Sequence, residues 1–272
     1  MSAPPWSASV ILLNYNTRDL LLDTLRRISA DLFAACWQII VVDNGSSDGS
    51  AQGVATHFPQ VALITSTKNV GFAAGNNFGL KQARGDAVVL LNTDVIVAPA
   101  ALQALVGYLQ EQPDVGAVSP GLRTADGSPQ AFGFGGEPSP AYLLRRGLRR
   151  LLRLGPLHDW AVELPIAADW VSGACLAVPM SVYEQIGGLD ERYFLYFEDV
   201  DWCTRIRRAG WRVVYNPLIQ VTHLGGQSEI RRTVANQLYV TSLRTFYRTH
   251  YPWVPAGILD MSLLAYHRLL SR

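Results

Sequence analysis

Three short apolar runs, SVILLN from Ser9, IIVVD from Ile39 and AVVLLNTD from Ala87, each stop at an amide or a carboxylate. None has the 3.6-residue period of an amphipathic helix, so each reads as a strand buried on both faces. The segments between them read as helices. RDLLLDTLRRI spaces its leucines helically after a polar start, GFAAGNNFGLKQA opens on glycine, and a helix start is expected near Ser47 or Asp48. VALITS, an amphipathic PAALQALVGYLQ and VGAVSP continue the alternation. Strands interleaved with helices imply an α/β fold with a mostly parallel sheet flanked by helices. Ligands of such sheets bind beyond the carboxyl ends of the strands. Asp43 and Asp94 each follow a strand directly, so both are expected in one crevice.

Composition limits the partners. The chain has 272 residues, 49% hydrophobic and 17% charged, enough for a large core. A net charge of +1 gives no general affinity for nucleic acid. Three scattered cysteines, Cys36, Cys175 and Cys203, fit a reducing compartment and form no zinc ribbon. MSAPPWSASV has neither the basic nor the apolar region of a signal peptide, and no run of apolar residues is long enough to span a bilayer. The expected location is cytoplasmic, with peripheral contact to the inner face of the membrane left open.

The second half is less regular. Residues 121–140 are rich in Gly, Pro and Ser and read as a loop or hairpin crossing. Residues 143–157 interleave leucines with Arg145, Arg146, Arg149, Arg150 and Arg153, either a helix lying on an anionic membrane or a solvated basic face. DWVSGACLAVP reads as a strand, and RVVYNP and QVTHLGG as two short ones. FEDVDWCTRIRRAG reads as a helix with an acidic start, a basic end and Gly210 as its stop. The last forty residues, with Arg244, Arg248, His250 and Arg268, read as helical.

LLNYNT, VVDNGSSDGS, NVGFAAGNN, LLNTD, GGLDERYFLYFEDVDW and VTHLGG, in that order, resemble glycosyltransferase family 2, and within it the rhamnosyltransferase-like enzymes of bacterial surface polysaccharides. The resemblance implies a GT-A fold over residues 1–228, with a nucleotide-binding half at about 8–100, an acceptor-binding half at about 101–228, and a helical C-terminal extension over 229–272. It also implies inversion at the anomeric carbon, a dTDP- or UDP-linked sugar donor, and a saccharide or polyprenyl-diphosphate-linked acceptor.

A leaving diphosphate gathers charge, which Mg²⁺ or Mn²⁺ can stabilise through hard oxygen ligands. Asp94 suits that role, although an Asp at a strand end also forms turns. Asn92 stands where the family pattern has its first aspartate and is assigned to the nucleotide. His223 matches the family's histidine before a glycine pair and becomes the second metal ligand, packing being the alternative. Arg231 and Arg232 follow on a glycine-bearing stretch that either closes over the diphosphate or stays solvated.

Asp43 resembles the family's base-reading aspartate, and Tyr15 the residue packed near the base. Asn69, Gly71 and Asn77 either approach the donor or serve helix packing. The family's catalytic base falls on Asp199, which the helix dipole is expected to keep ionised, with Glu198 orienting the acceptor and Asp201 a helix-start charge. Trp170, Ser172, Gly173 and Ala174 are expected on the acceptor side. Two other classes stand against this reading. A nucleotide-dependent oxidoreductase would need GxGxxG after the first strand, where LLNYNTRDL has no glycine. A catalytically silent nucleotide- or glycan-binding module stays open through Asn92.

Overall fold

A computed structural model describes residues 7–225, 232–255 and 257. Strands and helices alternate first: β1 (Ala8–Asn14), α1 (Arg18–Ala34), β2 (Trp37–Asp43), α2 (Ser50–His57), β3 (Ala62–Thr65), α3 (Phe72–Leu80) and β4 (Ala87–Asn92). There follow β5 (Val95–Ile96), α4 (Pro99–Glu111), β6 (Val115–Arg123), β7 (Phe134–Gly135), α5 (Pro140–Leu151), β8 (Ile166–Ala167), β9 (Trp170–Val171) and β10 (Cys175–Pro179). The chain continues through α6 (Met180–Ile186), α7 (Glu198–Arg208), β11 (Arg212–His223) and α8 (Arg232–His250). One sheet runs β3-β2-β1-β4-β10-β6-β11-β5, with β8 on β11, while β7 and β9 pair apart from it. It is parallel except at β10, β5 and β8.

Alternation along the strands explains the unbroken apolar runs. Val10, Leu12, Ile39, Val41, Val89 and Leu91 enter one core with α1 and α4. Their neighbours Ile11, Ile40, Val42, Val88 and Leu90 enter the other with α3 and α7. Each such side chain contributes about 1.5–3 kcal/mol by leaving water. A third cluster of Tyr193, Phe197, Val200, Leu243, Phe246 and Tyr247 docks α8 on α7.

Four local expectations change. RVVYNP and QVTHLGG form the single strand β11, with a register shift between Asn216 and Gln220 where Pro217 has no N–H for the ladder. DWVSGACLAVP is two strands, parted by a turn at residues 172–174. Helix α2 starts at Ser50, after Gly49 takes φ 81°, because the Asp48 carboxylate accepts the Ser50 N–H at 3.0 Å. Asp201 is a buried anchor, accepting from Arg205 Nε at 2.8 Å and meeting His250 Nε2 of α8 at 2.7 Å.

Candidate active site

The register brings the polar strand ends level, since Asn14 lies beside Asp43 and Leu13 beside Asn92. Beyond them opens a cleft lined by Leu13, Tyr15, Thr17, Asn44, Asn69, Gly71, Phe72, Asn92, Thr93, Asp94, Phe194 and Leu195. Asp43 is buried beside Asn44, its Oδ1 accepting from Asn14 Nδ2 at 3.0 Å and its Oδ2 from the Ser46 N–H at 3.2 Å. Tyr15 is exposed at the rim. Asn44 holds the Asn69–Gly71 loop, donating to Asn69 Oδ1 and the Gly71 carbonyl and accepting from the Val70 N–H. At Gly71, with φ 92°, a Cβ would come within 2.6 Å of the Phe194 carbonyl, so only glycine admits this wall of the cleft.

Asn77 departs from its expected place. Its Nδ2 donates to the Leu189 carbonyl at 2.8 Å and to Glu191 Oε1 at 2.9 Å, while its Oδ1 accepts the Leu189 N–H at 2.9 Å. The amide is spent pinning α3 to the loop before α7, and Asn77 does not line the cleft.

Asp94 and His223 meet across the β5–β11 pairing, with Oδ1 and Nε2 3.2 Å apart. The Leu224 N–H donates to the Asp94 carbonyl at 3.0 Å and keeps them adjacent. His223 Nδ1 lies 3.0 Å from Gln130 Oε1, which can only accept, so Nδ1 carries a hydrogen. Nε2 therefore faces the carboxylate either as an N–H or as a lone pair, and a lone pair there requires a cation between the two groups. This donor set fits a divalent ion. Among the described residues no third His, Cys, Asp or Glu joins it, so further ligands would be diphosphate oxygens or water.

The turn at residues 172–174 joins this site to the carboxylates of α7. The Asn92 N–H donates to the Ala174 carbonyl at 2.8 Å, and the Gly173 N–H donates to Asp199 Oδ2 at 2.9 Å. Asp199 Oδ1 accepts the Val200 N–H at 2.8 Å. Burial nonetheless raises the Asp199 pKa, which these hydrogen bonds offset only in part. Glu198 is pushed well above the carboxylate range by burial and by the Asp199 charge, and its Oε2 has no partner. One proton shared by the pair belongs on Glu198, which leaves Asp199 as the anion.

Trp170 does not face the cleft. Its Nε1 donates to the Gly136 carbonyl at 3.0 Å, and its ring fills the space a Cβ on Gly135 would take. Ser172 Oγ accepts the Ala174 N–H at 3.3 Å and shapes the turn. Arg231 lies outside the described residues, as does the side chain of Arg232, which opens α8. Sequence reasoning missed Asn14, Asn44, Thr17, Thr93, Phe194 and Gln130. Asn14 carried a signal, an amide ending a strand beside Asp43, whereas Gln130 carried none.

The signature of glycosyl transferase family 2 matches residues 9–137. The N-acetylglucosaminyl-diphospho-decaprenol L-rhamnosyltransferase of Mycobacterium tuberculosis is 34% identical over 209 residues, 68% of this chain and 66% of its own length. The chain belongs to glycosyltransferase family 2. Rhamnosyltransferase WbbL of Escherichia coli K12, another relative, is 24% identical over 226 residues, 79% of this chain and 82% of its own. The family 2 chain also has the GT-A fold. It superposes on the mannosyltransferase PcManGT from Pyrobaculum calidifontis, solved with GDP-Man and Mn²⁺, with a TM-score of 0.61 at 22% identity, covering 91% of this chain and 67% of that one. GalNAc-T7, solved with UDP, GalNAc and Mn²⁺, gives 0.62 at 14% identity, over 89% and 48%.

Proposed function

We propose that the chain is an inverting glycosyltransferase that moves rhamnose from dTDP-rhamnose, or a sugar from a UDP-sugar, to a saccharide or polyprenyl-diphosphate-linked acceptor in bacterial surface polysaccharide synthesis. The observation that carries this is the pairing of Asp94, which lines the cleft, with His223 behind it, and the tie from the Asn92 strand end through Ala174 and Gly173 to Asp199. The relatives' names support rhamnosyl transfer and, for the mycobacterial one, a diphospho-decaprenol acceptor.

In this mechanism Tyr15, Asp43, Asn69, Gly71 and Asn92 hold the nucleotide. Asp43 keeps lone pairs free to accept from the imide N–H of a thymine or uracil. Asp94 and His223 hold Mg²⁺ or Mn²⁺, which when bound neutralises charge on the diphosphate. Asp199 takes the proton of the acceptor hydroxyl as its oxygen forms the bond to the anomeric carbon and the bond from that carbon to the diphosphate oxygen breaks. A base whose pKa burial has raised is stronger than an exposed aspartate and still ionised beside a protonated Glu198. Arg231 and Arg232 are placed by sequence next to the metal pair and are assigned to the diphosphate.

Calorimetric titration with dTDP, UDP, GDP and ADP, each with and without Mn²⁺, tests the donor site. The expected result is metal-dependent binding of dTDP or UDP that weakens in His223→Ala. Absence of binding by all four nucleotides overturns the reading.

A further inference from the structure

We propose that α5 and the turn after it form a docking face for an anionic lipid bilayer. Leu144, Leu148 and Leu151 stand at i, i+4 and i+7, one stripe of the helix, and are 66%, 49% and 70% exposed. Leu152 and Leu154 continue the exposed apolar surface past the helix end. The other flank faces the protein: the Tyr142 hydroxyl meets His158 Nε2 at 2.9 Å, and the Arg146 guanidinium sits 5.7 Å from the Phe132 ring centroid. A helix on a globular surface ordinarily turns its apolar stripe inward, and this one turns it outward.

Charge selects the occupant. Apart from Arg146 on the inner flank, Arg145, Arg149, Arg150 and Arg153 fall between Glu137 and Asp159 with no acidic residue among them, in a chain whose net charge is +1. A second copy of this chain would set arginines against arginines, whereas a bilayer with anionic headgroups takes both the leucines and the cations. No helix among the described residues is long and apolar enough to cross a membrane, so α5 lies along the surface. Strand β7, just before α5, pairs with β9, which leads into the turn carrying Gly173 and thus Asp199. Docking through α5 would thus hold the β7–β9 pair, and the turn that follows it, close to the lipid surface. The face is separate from the nucleotide site, so vesicle binding and nucleotide binding fail independently.

The test is flotation of the full chain with vesicles of phosphatidylcholine alone and of phosphatidylcholine with phosphatidylglycerol. Binding is expected to the anionic vesicles and to weaken as salt is raised. Leu144→Ser/Leu148→Ser/Leu151→Ser should abolish it, and Arg145→Glu/Arg153→Glu should weaken it by at least about fivefold for each arginine removed. These side chains leave the cores untouched, so circular dichroism and nucleotide titration should match the parent protein. Failure of the parent to bind vesicles overturns the proposal, as does equal binding by the leucine variant. Light scattering adds one more way to lose: a dimer that the leucine substitutions dissolve, without vesicle binding, would assign the face to a second copy.

Discussion

Asp199 combines two backbone N–H donors with a neighbour that cannot share its charge. The Gly173 and Val200 N–H groups hold its two oxygens at 2.9 and 2.8 Å, while burial raises its pKa. A carboxylate so placed is fixed in orientation and more basic than one in water, the combination that proton abstraction from a sugar hydroxyl requires. Replacing Asp199 with Asn keeps a carbonyl for the Gly173 N–H and removes the basicity. We expect Asp199→Asn to lower turnover by about 10²- to 10⁴-fold with nucleotide affinity within twofold. A parallel loss of nucleotide affinity would place Asp199 in the donor site instead. The acid limb of kcat/KM should also lie above the ordinary aspartate range, with activity rising as pH carries the carboxyl through its raised pKa and disappearing with the variant.

Helix α3 shows what was legible at the level of the element and what was not. Its opening glycine was readable as approaching the donor or serving packing, and Gly71 lines the cleft while packing against the Phe194 segment, a neighbour the sequence did not name. Six residues on, Asn77 has the same composition cues but serves the loop at Leu189 and Glu191, a contact across more than a hundred residues that no local pattern announces. Asn77→Ala should leave the Leu189 N–H and carbonyl unpaired and cost about 1–3 kcal/mol. Thermal unfolding measures that loss, and calorimetry should show unchanged dTDP or UDP affinity; a tenfold weaker nucleotide would restore Asn77 to the donor site. The same contrast runs through the other elements. Strand ends were readable because three apolar runs each stop at an amide or carboxylate, and the ordered motifs, more than any one Asp, separate a site from a turn. Gln130 behind His223, and the Ser172–Ala174 turn between Asn92 and Asp199, depend on pairings that only the folded sheet creates.

At the scale of the whole molecule, the few carboxylates whose pKa is displaced among the described residues fall into two sets with opposite effects on stability. Arg192 holds Asp190 below the usual range, and Glu137, although burial opposes it, is lowered by Tyr251 and Arg207. Their stabilisation is present above the unfolded pKa and is lost as pH falls through the folded one. Glu198 and Asp199 act in the other direction, because burial raises both and the Asp199 charge raises Glu198 further. The folded protein then holds a proton that the unfolded chain gives up near the ordinary glutamate value of about 4.3. The contribution of Glu198 is therefore fully present below that value and declines as pH rises toward its folded pKa. Glu198→Gln keeps the shape without the ionisable proton, so it should match the parent near pH 4 and become progressively more heat-stable than the parent toward pH 8. Because Asp190 and Glu137 are common to both proteins, the difference in Tm reports on the Glu198–Asp199 pair. A difference that stays flat across this range, or that grows toward acid, would mean that Glu198 is ionised in the fold and that the proton of the pair lies elsewhere.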